Sequence, residues 1–164
     1  MRRVLLAALL AAPLLAACGF KLRGARDLPF ETIYLGFPPN SPFGTELARN
    51  LRAGTRTRVI EQRDKADAVL EILSESRERE VLALNSQGRA REFQLRMKLG
   101  FRVTDNKGRE FIAPTLLNAQ RDVSFNDSQV LAKESEEALL YRDMQTDLVQ
   151  QLLRRLAAAK PDAT

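Results

Sequence analysis

The sequence predicts an α+β fold, a two-layer sandwich in which two helices pack on one face of a mostly antiparallel, mixed sheet of about four strands. Residues 93–103 alternate strictly between apolar and polar side chains, which is typical of a strand with one buried face. Two segments carry apolar residues at helical spacing. Turn sequences separate the long extended segments, which favours hairpins between them.

The first third of the domain predicts a strand, a helix and a brief second strand. Residues 31–36 are rich in β-formers and predict a short strand. Ser41 is the expected N-cap of a helix that has Pro42 at its first position and ends at Gly54 as a C-cap. The apolar stripe of this helix has a spacing of four: Phe43, Leu47 and Leu51. Residues 57–61 predict a brief strand or edge.

Three long extended segments follow. Residues 66–84 predict the first, and the turn sequence 85–88 joins it to the alternating strand. The turn at 105–108 then leads into a third long strand over 111–125. Because proline is confined to strand edges, starts and bulges, Pro114 predicts a bulge or kink near the start of that strand.

The last element is predicted as a long helix. Residues 126–128 supply helix-start side chains, and the helix continues to about Ala159. Its apolar positions form a stripe: Tyr141, Met144, Leu148, Val149, Leu152, Leu153 and Leu156. A stripe of this width is typical of a helix that packs on a sheet.

The N-terminal segment predicts a lipoprotein signal peptide over residues 1–17. A basic start at Arg2 and Arg3 precedes an apolar run that is too short to span a bilayer. The run ends in Leu-Ala-Ala before Cys18, which resembles a bacterial lipobox with an acylated cysteine. The alternative is an ordinary secretory signal with a chance cysteine, but Cys18 is the one cysteine of the sequence.

The mature chain is then divided into a lipidated lead segment over 18–30, a single α+β domain over 31–160 and a short tail over 161–164. Cleavage removes two arginines, so the formal net charge falls from +5 to +3. This small excess gives no reason to expect a nucleic-acid partner.

The composition argues against an enzyme. The sequence contains no histidine, and the thiol of Cys18 is committed to lipid, so histidine-dependent triads and the commonest zinc ligands are excluded. No glycine-rich phosphate loop follows a predicted strand. A pair of carboxylates remains the one catalytic arrangement left open, but the acidic residues lie in helical or alternating surface patterns. We therefore predict no catalytic residue, no metal and no cofactor.

Two ends of the mature sequence resemble one family. The sequence Cys-Gly-Phe-Lys-Leu-Arg-Gly at 18–24 resembles the mature start of the lipopolysaccharide-assembly lipoproteins LptE, also called RlpB. Residues 130–137, 141–144 and 151–156 are similar to the final helix of that family. The resemblance implies a non-enzymatic lipoprotein, and Gly19 after the cysteine resembles an outer-membrane address.

The resemblance also implies the partners. Proteins of this family are held in the inner leaflet of the outer membrane by their acyl chains, and they plug the lumen of the LptD β-barrel as a 1:1 complex. They help the barrel to assemble and contact lipopolysaccharide on its way to the outer leaflet. The alternative from another class is a free-standing outer-membrane lipoprotein that acts as a periplasmic scaffold or assembly factor without lipid cargo.

Candidate lipopolysaccharide-binding residues lie at one helix start and one turn. Lys133 occupies the position of the family lysine that is implicated in lipopolysaccharide contact, near a helix N-terminus that favours anions. The alternative is a surface lysine paired with Glu136 or Glu137. Arg89 and Arg91 are candidates by charge and by their position beside the 85–88 turn. The basic loop residue of the family has no clear counterpart, because Ser86 and Gln87 fill the turn.

The polar face of the alternating strand supplies a second group of candidates. Arg96, Lys98 and Arg102 share that face. We expect them to meet carboxylates of a barrel lumen or phosphates of lipid A. The alternative is an ordinary solvated sheet face.

Overall fold

The computed structural model describes residues 28–124 and 130–160, which form an open five-stranded sheet with two α-helices. The elements in chain order are β1 (Thr32–Gly36), α1 (Pro42–Gly54), β2 (Arg58–Ile60), a short 3-10 helix (Arg63–Lys65), β3 (Ala68–Leu84), β4 (Ala90–Thr104), β5 (Glu110–Ser124) and α2 (Val130–Ala157). The predicted fold class is confirmed. The predicted helix start at 126–128 lies outside the described residues, as do 1–27 and 161–164.

The strand order is β2-β1-β3-β4-β5. β1 runs parallel to both of its neighbours, whereas β3, β4 and β5 form two antiparallel hairpins, so the sheet is mixed as predicted. The sheet has five strands rather than about four because the brief segment 58–60 pairs with β1, with Ile33 opposite Val59.

Helix α1 begins as its sequence predicts. The Ser41 hydroxyl accepts a hydrogen bond from the Gly44 amide at 3.1 Å, and Pro42 is the first helical residue. The predicted C-cap is wrong by one residue, because Gly54 is the last helical residue and Thr55 closes the helix. The Thr55 amide and hydroxyl donate to the Leu51 carbonyl at 3.0 and 2.8 Å, which satisfies the carbonyl that a glycine cap would otherwise serve.

Both predicted hairpin turns are confirmed. The side chain of Asn85 accepts from two amides of its turn, and Asp105 does the same in the second turn. Each turn needs a positive φ at its last residue, and glycine supplies it at Gly88 (75°) and Gly108 (91°).

The bulge predicted at Pro114 is also present. Phe101 lies opposite Thr115, but Val103 lies opposite Ile112, so one residue of β4 faces two residues of β5. Proline is tolerated there because the extra residue makes no ladder hydrogen bond.

The core lies between the helices and one face of the sheet. On β4 the predicted alternation is confirmed, because five side chains of one phase are buried: Leu95, Met97, Leu99, Phe101 and Val103. The helices contribute the predicted stripes, which are led by Phe43, Leu47, Leu51, Met144, Leu148, Leu152 and Leu156. The opposite sheet face is left uncovered by both helices, and it carries the polar side chains of β4.

Candidate functional site

A groove lined by arginines lies between β3 and the first half of α2. The guanidinium of Arg77 stacks on Tyr141 at 5.7 Å from the ring centroid and donates to Gln145 Oε1 at 3.3 Å. The guanidinium of Arg79 lies 3.8 Å from the ring centroid of Phe93 and pairs with Glu137 at 3.4 Å. We call these residues, with Arg142 on the same helix, the arginine groove.

The arginine groove also fixes α2 against the hairpin. The Tyr141 hydroxyl donates to the Glu78 carbonyl at 3.0 Å, so the helix is tied to the strand backbone at this point. Burial raises the pKa of Tyr141, and the negative charge of Glu137 raises it further, so the hydroxyl stays protonated and able to donate.

Sequence reasoning missed these arginines, although a signal for them exists. Arg77 lies opposite Met97 and Arg79 lies opposite Leu95, so both point to the helix-covered side of the sheet. The run Arg77-Glu78-Arg79-Glu80 alternates in charge with a period of two, which places both arginines on one face. Both sets of alternating residues in this run are charged, so the run does not indicate which face of the strand is covered.

Lys133 lies one helical turn before Glu137, on the side of α2 that faces the arginine groove. Its ammonium pairs with Glu136 at 2.7 Å, and its side chain is 17% exposed. The structure therefore shows the intrahelical pair that was the alternative interpretation. Pairs of this kind stabilise a helix by about 0.2–0.5 kcal/mol, so a phosphate would displace Glu136 at little cost.

The other two predicted lipid-binding residues lie at the same end of the domain. Arg89 and Arg91 are exposed at the start of β4, directly after the turn. The backbone amide of Arg89 donates to Asn85 Oδ1 at 3.0 Å, so the turn holds this arginine in place through its main chain. We call the end of the domain that carries these two arginines, Lys133 and the arginine groove the upper end.

Exposed apolar side chains accompany these cations. Val81, Leu82 and Leu84 occupy the end of β3 and are about half exposed, at 49%, 45% and 61%. Leu139 on α2 is exposed as well. Large apolar side chains that cluster on a surface mark interaction sites. A surface that joins them to several cations is suited to an amphiphile with anionic groups and hydrocarbon chains.

The predicted residues of the polar strand face form a ladder of ion pairs on the uncovered side of the sheet. Arg96 pairs with Glu80 at 2.9 Å, Lys98 pairs with Glu78 at 2.9 Å, and Arg102 pairs with Glu71. We call this surface the ladder face. Each candidate cation is thus matched by a glutamate of β3, so the face is charged but nearly neutral.

The ion pairs of the ladder face lower the pKa values of Glu71 and Glu78. The hydrogen bond from Arg102 lowers the pKa of Glu71, partial burial opposes the shift, and Arg63 adds a second hydrogen bond. The hydrogen bond from Lys98 lowers the pKa of Glu78 in the same way. Both carboxylates therefore stay charged at neutral pH.

The described part of the chain contains no group of three or more potential metal ligands. Within 28–124 and 133–160, every buried side-chain nitrogen or oxygen has a hydrogen-bond partner. None of the described helices is both long and apolar enough to cross a membrane.

The chain is thus a small α+β domain that exposes basic and apolar side chains at one end and paired charges on the open face of its sheet. The chain belongs to the LptE family of lipopolysaccharide-assembly proteins, whose family model matches residues 30–156. The match spans the whole sheet and nearly all of α2. Membership confirms the predicted family and the prediction that the protein is not an enzyme, since this family is non-enzymatic.

Named relatives and solved structures agree with this assignment. The chain is 33% identical over 145 residues to the LPS-assembly lipoprotein LptE of Yersinia pestis, covering 86% of this chain and 69% of the relative. It is 28% identical over 144 residues to the protein of the same name from Photorhabdus laumondii, covering 86% and 78%. A solution structure of a lipoprotein B from Nitrosomonas europaea is 39% identical with a TM-score of 0.74, covering 85% and 91%.

A crystal structure of a minor lipoprotein from Acinetobacter baumannii is 25% identical with a TM-score of 0.65. It covers 82% of this chain and 99% of that protein. The four proteins share the description of lipoprotein, which matches the class that the lipobox predicts.

Proposed function

We propose that this chain is the lipoprotein subunit of an outer-membrane lipopolysaccharide translocon. In this proposal Cys18 carries acyl chains in the inner leaflet, and the domain occupies the lumen of an LptD-type β-barrel as a 1:1 complex. It helps the barrel to assemble and contacts lipopolysaccharide. The observation that carries the proposal is the family match over residues 30–156.

The ladder face supports the barrel partner. The lumen of a large membrane barrel is polar and hydrated. A surface of compensated ion pairs is soluble and can exchange its pairs for contacts with lumen side chains without leaving a charge buried alone. The ladder face offers three such pairs on β3 and β4.

The upper end supports the lipid contact. Lipid A combines phosphates with acyl chains, and the upper end carries Lys133, the arginine groove and the exposed Val81, Leu82 and Leu84. Lysine contacts a phosphate as a point charge, while arginine offers several donors in a fixed fork.

The anchor is tested with Cys18→Ala. Thioether acylation needs the thiol, so the variant should accumulate as unprocessed or mislocalised precursor. Metabolic labelling with a palmitate analogue measures this directly. Continued labelling of the alanine variant would remove the lipoprotein assignment.

The barrel partner is tested by purification in detergent from cells that express the tagged chain at its native level. A plug should come out with one very large β-barrel at equal stoichiometry. Recovery of the lipoprotein alone, or with a different complex, would favour the free-standing scaffold.

The lipid contact is tested with Lys133→Asp, with the exposed Arg49→Asp on α1 as a control of equal charge change. If Lys133 meets a phosphate, its reversal should weaken lipopolysaccharide binding by about tenfold, since a charged hydrogen bond contributes about 1.5–3 kcal/mol. The melting temperature and the co-purification with the barrel should be retained. Equal affinity of the two variants would leave Lys133 as a surface helix residue.

A further inference from the structure

A second charged surface lies at the end of the sheet opposite the upper end. Two adjoining grooves meet there at Phe111, and the starts of the strands, the β4–β5 turn and the end of α2 form their walls. Six exposed basic side chains line these grooves: Arg56, Arg58, Lys107, Arg109, Arg154 and Arg155. We call these six residues the basal surface.

The charge balance of these grooves is strongly asymmetric. Their acidic lining residues are Glu31, Asp67 and Asp105, so cations exceed acids by three. Two of the three carboxylates serve local structure. Asp67 accepts from the amide and hydroxyl of Thr32 at 2.9 and 2.7 Å, and Asp105 accepts from two amides of its own turn. The lining of the two grooves thus carries a formal net charge of +3.

Compensation of a helix dipole explains the presence of only some of these basic residues. Arg154 and Arg155 lie in the last turn of α2, where cations offset the partial negative charge of the carbonyl end. Arg58 begins β2 and Lys107 lies in the β4–β5 turn, so neither belongs to a helix end. No ion pair joins either of them to another residue of the described ranges.

The lead segment connects to this same end. Leu28, the first described residue, lines the grooves of the basal surface. Cys18 lies ten residues earlier, and a fully extended chain of that length spans at most roughly 35 Å. An acylated Cys18 would therefore keep Leu28 within roughly 35 Å of the bilayer, which lets the basal surface reach the head groups, a step that rests on the lipidation in the proposed function.

We propose that, before the domain enters the barrel, the basal surface binds anionic phospholipid head groups of the leaflet that holds the acyl chains, so that the upper end is directed away from that leaflet. Each basic side chain near an anionic bilayer strengthens binding by about fivefold. The attraction is screened by salt, because the contact is exposed to solvent. The acyl chains then tether the domain, and the basal surface orients it.

The test uses the mature lipoprotein in vesicles. Since the chain has no cysteine besides Cys18, a cysteine introduced in place of Asn106 in the β4–β5 turn takes a fluorophore at one site. A second protein carries the fluorophore at Gln87, in the β3–β4 turn at the upper end. A spin label on lipid head groups quenches fluorophores close to the bilayer surface. The vesicles are phosphatidylcholine alone or phosphatidylcholine with about one-third phosphatidylglycerol.

The proposal predicts about twofold more quenching at residue 106 in the anionic vesicles, removed by high salt, with no such change at residue 87. The double variant Arg58→Glu/Lys107→Glu should lose the effect, and the exposed pair Arg49→Glu/Arg121→Glu, which lies outside both charged ends, is the control of equal charge change. Thermal melts of both double variants establish that the fold is retained. The salt dependence of the quenching at residue 106 is measured on the unchanged basal surface, so this part of the test does not depend on whether a charge variant folds.

The outcomes separate the two proposals. Vesicle flotation with equal quenching of residue 106 in both lipid mixtures would overturn the role of the basal surface and leave the anchor intact. Failure to float with either mixture would overturn the anchor, and this inference with it. Equal losses in the two double variants would also overturn it, because the effect would then follow total charge rather than the basal surface.

Discussion

The two faces of β4 differ in how their side chains are stabilised, by apolar burial on one face and by exposed ion pairs on the other. On the helix-covered face, Leu95, Met97, Leu99, Phe101 and Val103 are fully buried. Each such side chain stabilises the fold by about 1.5–3 kcal/mol through removal of apolar surface from water. On the ladder face, three cations pair with glutamates of β3, and exposed pairs contribute about 0–1 kcal/mol each.

The difference between the two faces shows which part of the molecule is available to a partner. The covered face holds most of the folding free energy, so changes there unfold the domain. The ladder face contributes little to stability and is ordered by the same strands. A binding surface of this kind is rigid because the buried face beneath it is packed, and it tolerates changes in its own side chains.

The largest expected effect separates the faces directly. Phe101→Asp places an unpaired carboxylate in the core and should destabilise the domain by more than about 4 kcal/mol. Leu116→Asp is the matched control, because Leu116 lies on the ladder side opposite Gly100 and is 60% exposed. Chemical denaturation of both variants measures the difference, and similar midpoints would contradict the assigned strand register.

A smaller effect tests the helix that covers the sheet. Leu148→Ala removes a fully buried side chain from α2 and should cost about 2–5 kcal/mol. Leu139→Ala changes an exposed position of the same helix and should stay within about 1 kcal/mol. Thermal unfolding of the pair checks the orientation of α2. A larger loss of stability for Leu139→Ala than for Leu148→Ala would contradict this orientation, because it would mean that the side of the helix with Leu139 faces the core.

The smallest expected effect concerns the pH dependence of the ladder face. The pKa of Glu71 is lowered in the folded protein from its ordinary value of 4.5, so Glu71 contributes stability above that pH. This contribution is lost as the pH falls through the lowered pKa, where Glu71 binds a proton. Glu71→Gln should therefore lower the free energy of unfolding slightly at neutral pH and flatten its decline below pH 4.5. Parallel pH profiles of the two proteins would contradict the assigned pairing with Arg102.

Sequence alone predicted the elements better than their partners. The alternation of β4 fixed its buried face, since a period of two needs no tertiary information. The parallel pairing of residues 58–60 with β1 was not predictable, because non-local pairing leaves no local pattern. The glutamate partners of Arg96, Lys98 and Arg102 were also missed, since the register of β3 depends on irregularities between Val81 and Leu84 and between Ile72 and Ser74.

At the upper end, too, the sequence predicted individual residues better than their partners. Lys133 was found through its resemblance to a family motif, and the sequence left its partner open between Glu136 and Glu137, of which the structure shows Glu136. Arg77 and Arg79 were missed because the charges of their strand alternate without an apolar phase. The buried positions of the core can be predicted from the periodicity of the sequence. The partners of charged side chains cannot, because they depend on which elements pack together.

The most direct test of the contrast between the faces is photocrosslinking in living cells from Asn118, an exposed residue of β5 opposite Lys98 on the ladder face. A photoreactive amino acid there should leave the covered face and its packing intact. We expect one main product, a crosslink between this chain and a very large outer-membrane β-barrel. Correct localisation of a folded, processed protein without any crosslink to such a barrel would contradict the assignment of the ladder face to a barrel partner.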